Sequence, residues 1–291
     1  MGHGRREIAD AVAAQLSTLA HYSNFGDLTA PVTQELAQRL SEIAPVPGSK
    51  ILFTSGGSDS VDTAAKLARR YWQELGRPEK TLLIGRRLAY HGMHVAGTAL
   101  GGIPVNREGY GELMPDARTV EWNEAEALRA LIEAVGANRI AAFFCEPIIG
   151  AGGVYLPPEG YLTEVRRLCR EHDILFVADE VVTGFGPHRR ILVRLHAFRP
   201  RARSDGPPPR GLTSGYLPMG AVFAAPRVAE PVLRGRRVVP PRLHLRRPRR
   251  RRRRGHGQPR HPRARTPAST PARTWNPCCT STSHHWPRTP G

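Results

Sequence analysis

Residues 174–186 read "ILFVADEVVTGFG". Five apolar residues run without interruption from Ile174 to Ala178, and Asp179 and Glu180 follow at once. An apolar run of this length that shows no alternation predicts a strand covered on both faces, the environment of a parallel sheet between helices. The two acids then stand at the strand's carboxyl tip. An ionised carboxylate under such a cover is costly unless a cation or a hydrogen-bond donor meets it. Asp179 is therefore a candidate for holding a positively charged ligand group, with an ordinary salt bridge or helix cap as the plainer reading.

The same grammar extends upstream. "KILFTS" (50–55), "KTLLIG" (80–85) and "RIAAFFCEP" (139–147) are predicted strands. A long helix is predicted from about Asp59 to Leu75. "NEAEALRALIEAVG" (123–136) predicts a helix with Asn123 as N-cap, Glu126 completing a capping box and Gly136 ending it. "PPEGYLTEVRRLCREHD" (157–173) predicts a helix opened by proline. Before the first strand, Ile8, Val12, Leu16 and Leu19 mark one amphipathic helix. A second starts after Thr29, accepts Pro31 in its first turn and runs through Leu36, Leu40 and Ile43. The expected fold class is α/β, a mainly parallel sheet with helices on both faces. Ligands of such sheets collect beyond the carboxyl ends of the strands, which is where Ser55 to Ser58, Glu146 and Asp179 fall.

Composition divides the chain near Gly186. Up to that residue there are 18 basic and 23 acidic side chains, and the remaining 105 residues hold 25 basic and 2 acidic ones, giving the overall +18. All three lysines (Lys50, Lys66, Lys80) lie in the first part. The expected organisation is a helical segment over 1–48, a ligand-binding α/β unit over 49–186, an irregular segment over 187–211, a return to ordered sequence over 212–234, and a basic tail over 235–291 whose composition predicts disorder. Cys145 and Cys169 fall in predicted buried elements and Cys278 and Cys279 are adjacent, so no disulfide framework or metal spacing is visible. No apolar run reaches membrane-spanning length and no secretory leader is visible, so a cytoplasmic location without membrane attachment is expected.

Four stretches carry chemistry. "FTSGGSDSVDTAAKLAR" (53–69) sets Gly56, Gly57 and Ser58 between a strand and a helix start, where exposed N–H groups and the helix dipole form an anion site. A glycine turn with a serine N-cap is the plainer reading. In "YHGMHVAGTALGG" (90–102), Tyr90 can stack on a flat aromatic ligand with His91 beside it, or simply pack locally. In "CEPIIGAGGVYLPPEGYL" (145–162), Glu146 is either a site acid or an acid meeting solvent. The fourth stretch is the opening one.

Taken together with "LTSGYLPMGAV" (212–222), these stretches resemble the class III, omega-type branch of the fold-type I pyridoxal-phosphate aminotransferases, over roughly 3–186 and 212–234. The resemblance implies a phosphate cup at Gly56, Gly57 and Ser58, though Asp59 stands where a glutamate is usual. It implies that Tyr90 stacks on the cofactor ring, with His91 in the same motif, and that Val181 packs on the opposite ring face. Asp179 matches the acid that keeps the pyridine nitrogen protonated, and Glu146 and Glu180 match acids that orient the site. Thr213 matches a residue reaching the phosphate of a partner subunit, which implies a homodimer. The implied activity moves an amino group from an amine or amino acid to an oxo acid or aldehyde through pyridoxal 5'-phosphate.

That chemistry needs a lysine which holds the cofactor as a Schiff base and shuttles the proton. Its place before "LTSGY" is taken by "PHRRILVRLHAFRPRARSDGPPPRG" (187–211), with Arg210 near it. Arginine stays protonated and is no nucleophile. The interval has the family's length and a foreign composition, as a shifted reading frame over about 187–211 and again over 235–291 would produce. The family's small C-terminal domain is expected to be missing, the start is expected to lie inside the family's fold, and the chain is expected to be inactive as written. Two other readings are a lysine-free, non-catalytic cofactor-binding remnant, and a non-specific nucleic-acid binder acting through "RRPRRRRRR" (246–254). The latter lacks interleaved stacking aromatics.

Overall fold

A computed structural model of the chain describes residues 3–24, 28–184 and 212–235, and the backbone alone of 194–196. The strands are β1 (Lys50–Thr54), β2 (Leu82–Arg86), β3 (Ala117–Val120), β4 (Ile140–Cys145), β5 (Leu175–Ala178), β6 (Arg194–His196) and β7 (Gly220–Ala224). They form one sheet in the order β1-β7-β6-β5-β4-β2-β3. Pairs β2–β3, β2–β4, β4–β5 and β6–β7 are parallel, while β1–β7 and β5–β6 are antiparallel. Strands β1 to β5 consequently all point one way and β6 and β7 point back. The carboxyl ends of β1, β2, β4 and β5 and the amino end of β7 share one edge.

The helices are α1 (Arg6–Leu19), α2 (Pro31–Ile43), α3 (Gly57–Glu74), α4 (Val95–Leu100), α5 (Ala125–Val135), α6 (Tyr161–Glu171) and α7 (Pro226–Arg234). Alternate strand residues enter opposite cores. Leu83, Ala142, Phe144 and Val177 pack with Val61, Ala65, Trp72 and Val228 of α3 and α7. Ile84, Phe143 and Phe176 pack with Leu128 of α5 and Val165 and Leu168 of α6. Both faces of β4 and β5 are therefore dry, and each fully buried large apolar side chain contributes about 1.5–3 kcal/mol. This is the physical cause of the unbroken apolar runs. On α3, Ala64, Ala65 and Ala68 face the sheet, and Trp72 Nε1 reaches across to donate to the Ala141 carbonyl at 2.8 Å.

Several boundaries differ from expectation. α3 begins at Gly57, two residues before Asp59, which puts Gly57 and Ser58 inside its first turn. Helix α5 starts at Ala125 with Glu124 as N-cap and no side-chain cap. Glu126 accepts from Arg129 Nε at 2.9 Å instead of reaching back to Asn123, because a charged partner one turn ahead competes for the carboxylate. The proline pair does not open α6. Gly160 does, in the left-handed region at φ 77°. Helix α1 forms, yet none of its residues is buried: Ile8 and Val12 are partly covered, and Leu16 and Leu19 stand exposed. Residues 187–211, expected to be irregular, contribute β6. The tail over 236–291 lies outside the described residues. Among the described residues no helix is long and apolar enough to cross a membrane.

Lys80 stands just before β2 and is buried, with Nζ donating to the Ala137 carbonyl at 2.9 Å and lying 4.3 Å from the Trp72 ring centroid. Burial, reinforced by the neighbouring Arg77, lowers its pKa from 10.5 to about 8. Between these values the unfolded chain holds the Lys80 proton and the folded chain does not, so stability rises with pH across that window. Below pH 8 the cost of the buried charge is borne in full. Denaturant midpoints taken from pH 7 to 10 are expected to show a gain on the order of 2 kcal/mol, and Lys80→Met is expected to flatten it.

Candidate functional site

Three segments converge at the shared edge of the sheet. The first is the turn from β1 into α3, the second the loop from β2 into α4, and the third the tip of β5. Their closeness is recorded by glycines. A Cβ on Gly57 would lie 2.7 Å from Val181 Cγ1, and one on Gly92, at φ +96°, would lie 2.6 Å from Ser58 Oγ. The chain crosses itself there only because those positions have no side chain.

Asp179 is buried, at 4 % exposure. Its Oδ2 accepts from His91 Nδ1 at 2.8 Å and its Oδ1 accepts from the Val181 N–H at 3.1 Å. Facing a carboxylate that only accepts, His91 carries its proton on Nδ1. His91 is buried as well, and its Nε2 has no protein partner among the described residues. Each carboxylate oxygen retains acceptor capacity for a further donor, so a cationic ligand group can be met here.

Glu146 follows the last residue of β4. Its Oε1 accepts from the Tyr90 N–H at 2.9 Å and its Oε2 from the Gly150 N–H at 3.1 Å. Burial pushes its pKa up, against the pull of His91 and of those two N–H groups. Glu146 is thus a clamp on two loops rather than an acid meeting solvent. Tyr90 is exposed at 38 %, with its backbone N–H held by Glu146. Glu180 is buried beside Asp179, and its carbonyl accepts from the Gly184 N–H at 2.6 Å. Val181 is exposed at 39 %, with its side chain close to Gly57.

The amino end of α3 lies at the same edge, beginning at Gly57 with no side-chain cap. Its first-turn N–H groups have no intrahelical acceptors, and Ser58 stands among them. Ser58 Oγ accepts from the Met93 N–H at 3.1 Å, and a hydroxyl in that role still has a proton to donate. Asp59 Oδ2 accepts from the Ser55 N–H at 2.9 Å and fixes the turn. Gly56 accepts from the Ser60 N–H at 3.0 Å. Thr213 lies in the turn before β7, on the same edge, and its hydroxyl donates to the Leu217 carbonyl at 2.7 Å. Arg210 lies outside the described residues.

The sequence reading missed Arg86. It ends β2 as one of the largest fully buried side chains, and its Nη2 donates to the Glu146 carbonyl at 2.5 Å. The signal was an arginine directly closing an apolar strand. Asp62 was missed too; its Oδ1 accepts from the Gly97 N–H at 3.1 Å and ties α3 to α4.

The lysines stand elsewhere. Lys50 pairs with Ala224 at the opposite end of β1, and Lys80 precedes β2 at that same far edge. Lys66 is exposed in the middle of α3.

A profile described as aminotransferase class-III matches residues 1–191. The chain is 39% identical over 250 residues to the beta-alanine–pyruvate aminotransferase of Pseudomonas aeruginosa, covering 78% of this chain and 54% of that protein. It also superposes on solved transaminases. An amine transaminase from an uncultivated Pseudomonas species, in its PLP-bound form, gives a TM-score of 0.69 at 36% identity over 79% of this chain and 56% of that one. An (S)-enantioselective omega-transaminase from Thermomicrobium roseum gives 0.73 at 35% identity over 82% and 56%. The chain thus spans about half the length of the relatives it matches. The 78% coverage exceeds what residues 1–191 contain, so the likeness extends beyond them.

Proposed function

The chain belongs to the class-III aminotransferases, and on that premise we propose that its sheet edge holds pyridoxal 5'-phosphate in a site that has lost its covalent anchor. The observation that carries the reading is the buried pair of His91 and Asp179 set beside the amino end of α3. When bound, the cofactor supplies an electron sink for deprotonating the carbon that bears an amino group.

The residues present fit the non-covalent part of that group. Asp179 offers a buried carboxylate with spare acceptor capacity to a protonated ring nitrogen, and His91 holds that carboxylate in place. The first turn of α3, with Ser58, offers donors to the phosphate. Val181 and Tyr90 would flank the ring, and the Glu146 clamp orients the Tyr90 loop. The fit fails at one point, because none of the three lysines stands at this edge. Among the described residues no lysine stands where it would exchange protons with the substrate carbon, and on this reading transamination by this chain is absent or very slow.

The homodimer of the family reading is supported by apolar residues left open near the site, among them Met93 at 79 % and Val182 at 70 % exposure. In such a dimer Thr213 would serve the partner's phosphate. The substrates would be an amine and an oxo acid. We read residues 187–211 and 235–291 as out of frame, supported by their composition, rich in arginine and proline and without lysine, on either side of "LTSGYLPMGAV" (212–222). Sequencing the gene across the codons for 187–211 is expected to reveal a frame that restores a lysine shortly before Leu212.

An absorbance titration with pyridoxal 5'-phosphate, followed by an assay with a primary amine and pyruvate, tests the proposal. Saturable binding without turnover above a protein-free control is expected. Turnover sensitive to Asp179→Asn would overturn the loss of activity, and absence of saturable binding would overturn the cofactor site.

A further inference from the structure

The contacts that the described residues can offer a phosphorylated pyridine lie at two ends of the ligand. Phosphate is met by the first turn of α3 and the Ser58 hydroxyl, and the ring nitrogen by Asp179. A covalently held cofactor has a third attachment, at the aldehyde carbon opposite the ring nitrogen, which only an amine can make. Lys50 and Lys80 are a full strand length away, on the order of 16 Å for five residues. Lys66 is eight positions beyond Ser58, about 12 Å along the axis of α3. Arg86, the buried cation nearest the Tyr90 loop in sequence, is engaged with the Glu146 carbonyl and remains a guanidinium.

Resting on the cofactor-site reading above, we infer that this site is a non-covalent receptor for phosphorylated pyridines that does not discriminate the substituent opposite the ring nitrogen. The aldehyde, aminomethyl and hydroxymethyl forms share every contact the described residues offer. An enzyme with its lysine favours the aldehyde, because that form alone gains a bond. Here the distinction between the forms falls where the protein makes no bond, so the amine and alcohol forms are full ligands.

Equilibrium dialysis of the whole chain with pyridoxal, pyridoxamine and pyridoxine 5'-phosphates decides it, with unphosphorylated pyridoxal as control. The three phosphates are expected to bind within about threefold of one another, and pyridoxal at least about tenfold more weakly. Borohydride treatment of the aldehyde complex, read by intact mass, is expected to add nothing that the amine form competes away. An aldehyde bound more than tenfold tighter than the other two forms, or a trapped adduct that the amine form prevents, would overturn the inference while leaving the cofactor site standing. If none of the three phosphates binds better than pyridoxal, the cofactor-site reading fails and this inference falls with it.

Discussion

Asp179→Asn is expected to weaken pyridoxal 5'-phosphate binding by about 10- to 100-fold, the worth of a charge-assisted hydrogen bond. The side chain is buried, so its carboxylate meets a cation with little screening by water. Asparagine keeps the shape, and its carbonyl oxygen can still accept from His91 or from the Val181 N–H. What it removes is the negative charge that keeps a ring nitrogen protonated. Far-UV circular dichroism is expected to stay unchanged while the absorbance titration shifts. Unchanged affinity in a folded variant would mean that Asp179 serves only His91 and that the ligand's nitrogen lies elsewhere.

Gly85→Ala is the second large effect, and it acts on stability. Gly85 lies in β2 and the last turn of α4 rests on it; an added Cβ would lie 2.1 Å from the Leu100 carbonyl oxygen. Backbone cannot yield there as a flexible side-chain end would, so α4 must lift. The displacement loosens Ala96 and Leu100 from the core and tilts the loop that carries Tyr90 and His91. A cost of about 3 kcal/mol is expected, which lowers the melting temperature by about 6–12 °C for a domain of this size. Gly76→Ala is a matched control at the end of α3, where a Cβ would meet nothing within 4 Å but φ is +72°. Its smaller loss reports backbone strain alone. If the two variants melt together, close packing at Gly85 is not what holds α4.

Much of the site was legible before any fold was known. The apolar runs ending in Glu146 and Asp179 gave both strands and the edge where they end, because a strand dry on both faces leaves no polar position until its tip. The glycines at 56 and 57 marked the turn between β1 and α3. The partners of these residues were not legible. Nothing local says that His91 meets Asp179, 88 positions away, or that Glu146 spends both oxygens on the Tyr90 and Gly150 N–H groups. The capping box at Asn123 and Glu126 failed for the same reason, since a propensity was read without the arginine that competes for it.

The sequence by itself determined the class of fold, the edge that carries the chemistry and the absence of any lysine beyond Lys80, since these depend on apolar period, turn residues and composition, all local or countable. Only the tertiary structure decided that Lys50 and Lys80 lie at the far edge of the sheet and Lys66 on an exposed helix face, because strand direction and helix phase are set by pairing and packing across the whole chain. It also decided that Arg86 is buried beneath the site. A guanidinium closing a strand reads as solvent-facing until the carbonyl it serves, that of Glu146, is brought in from another strand.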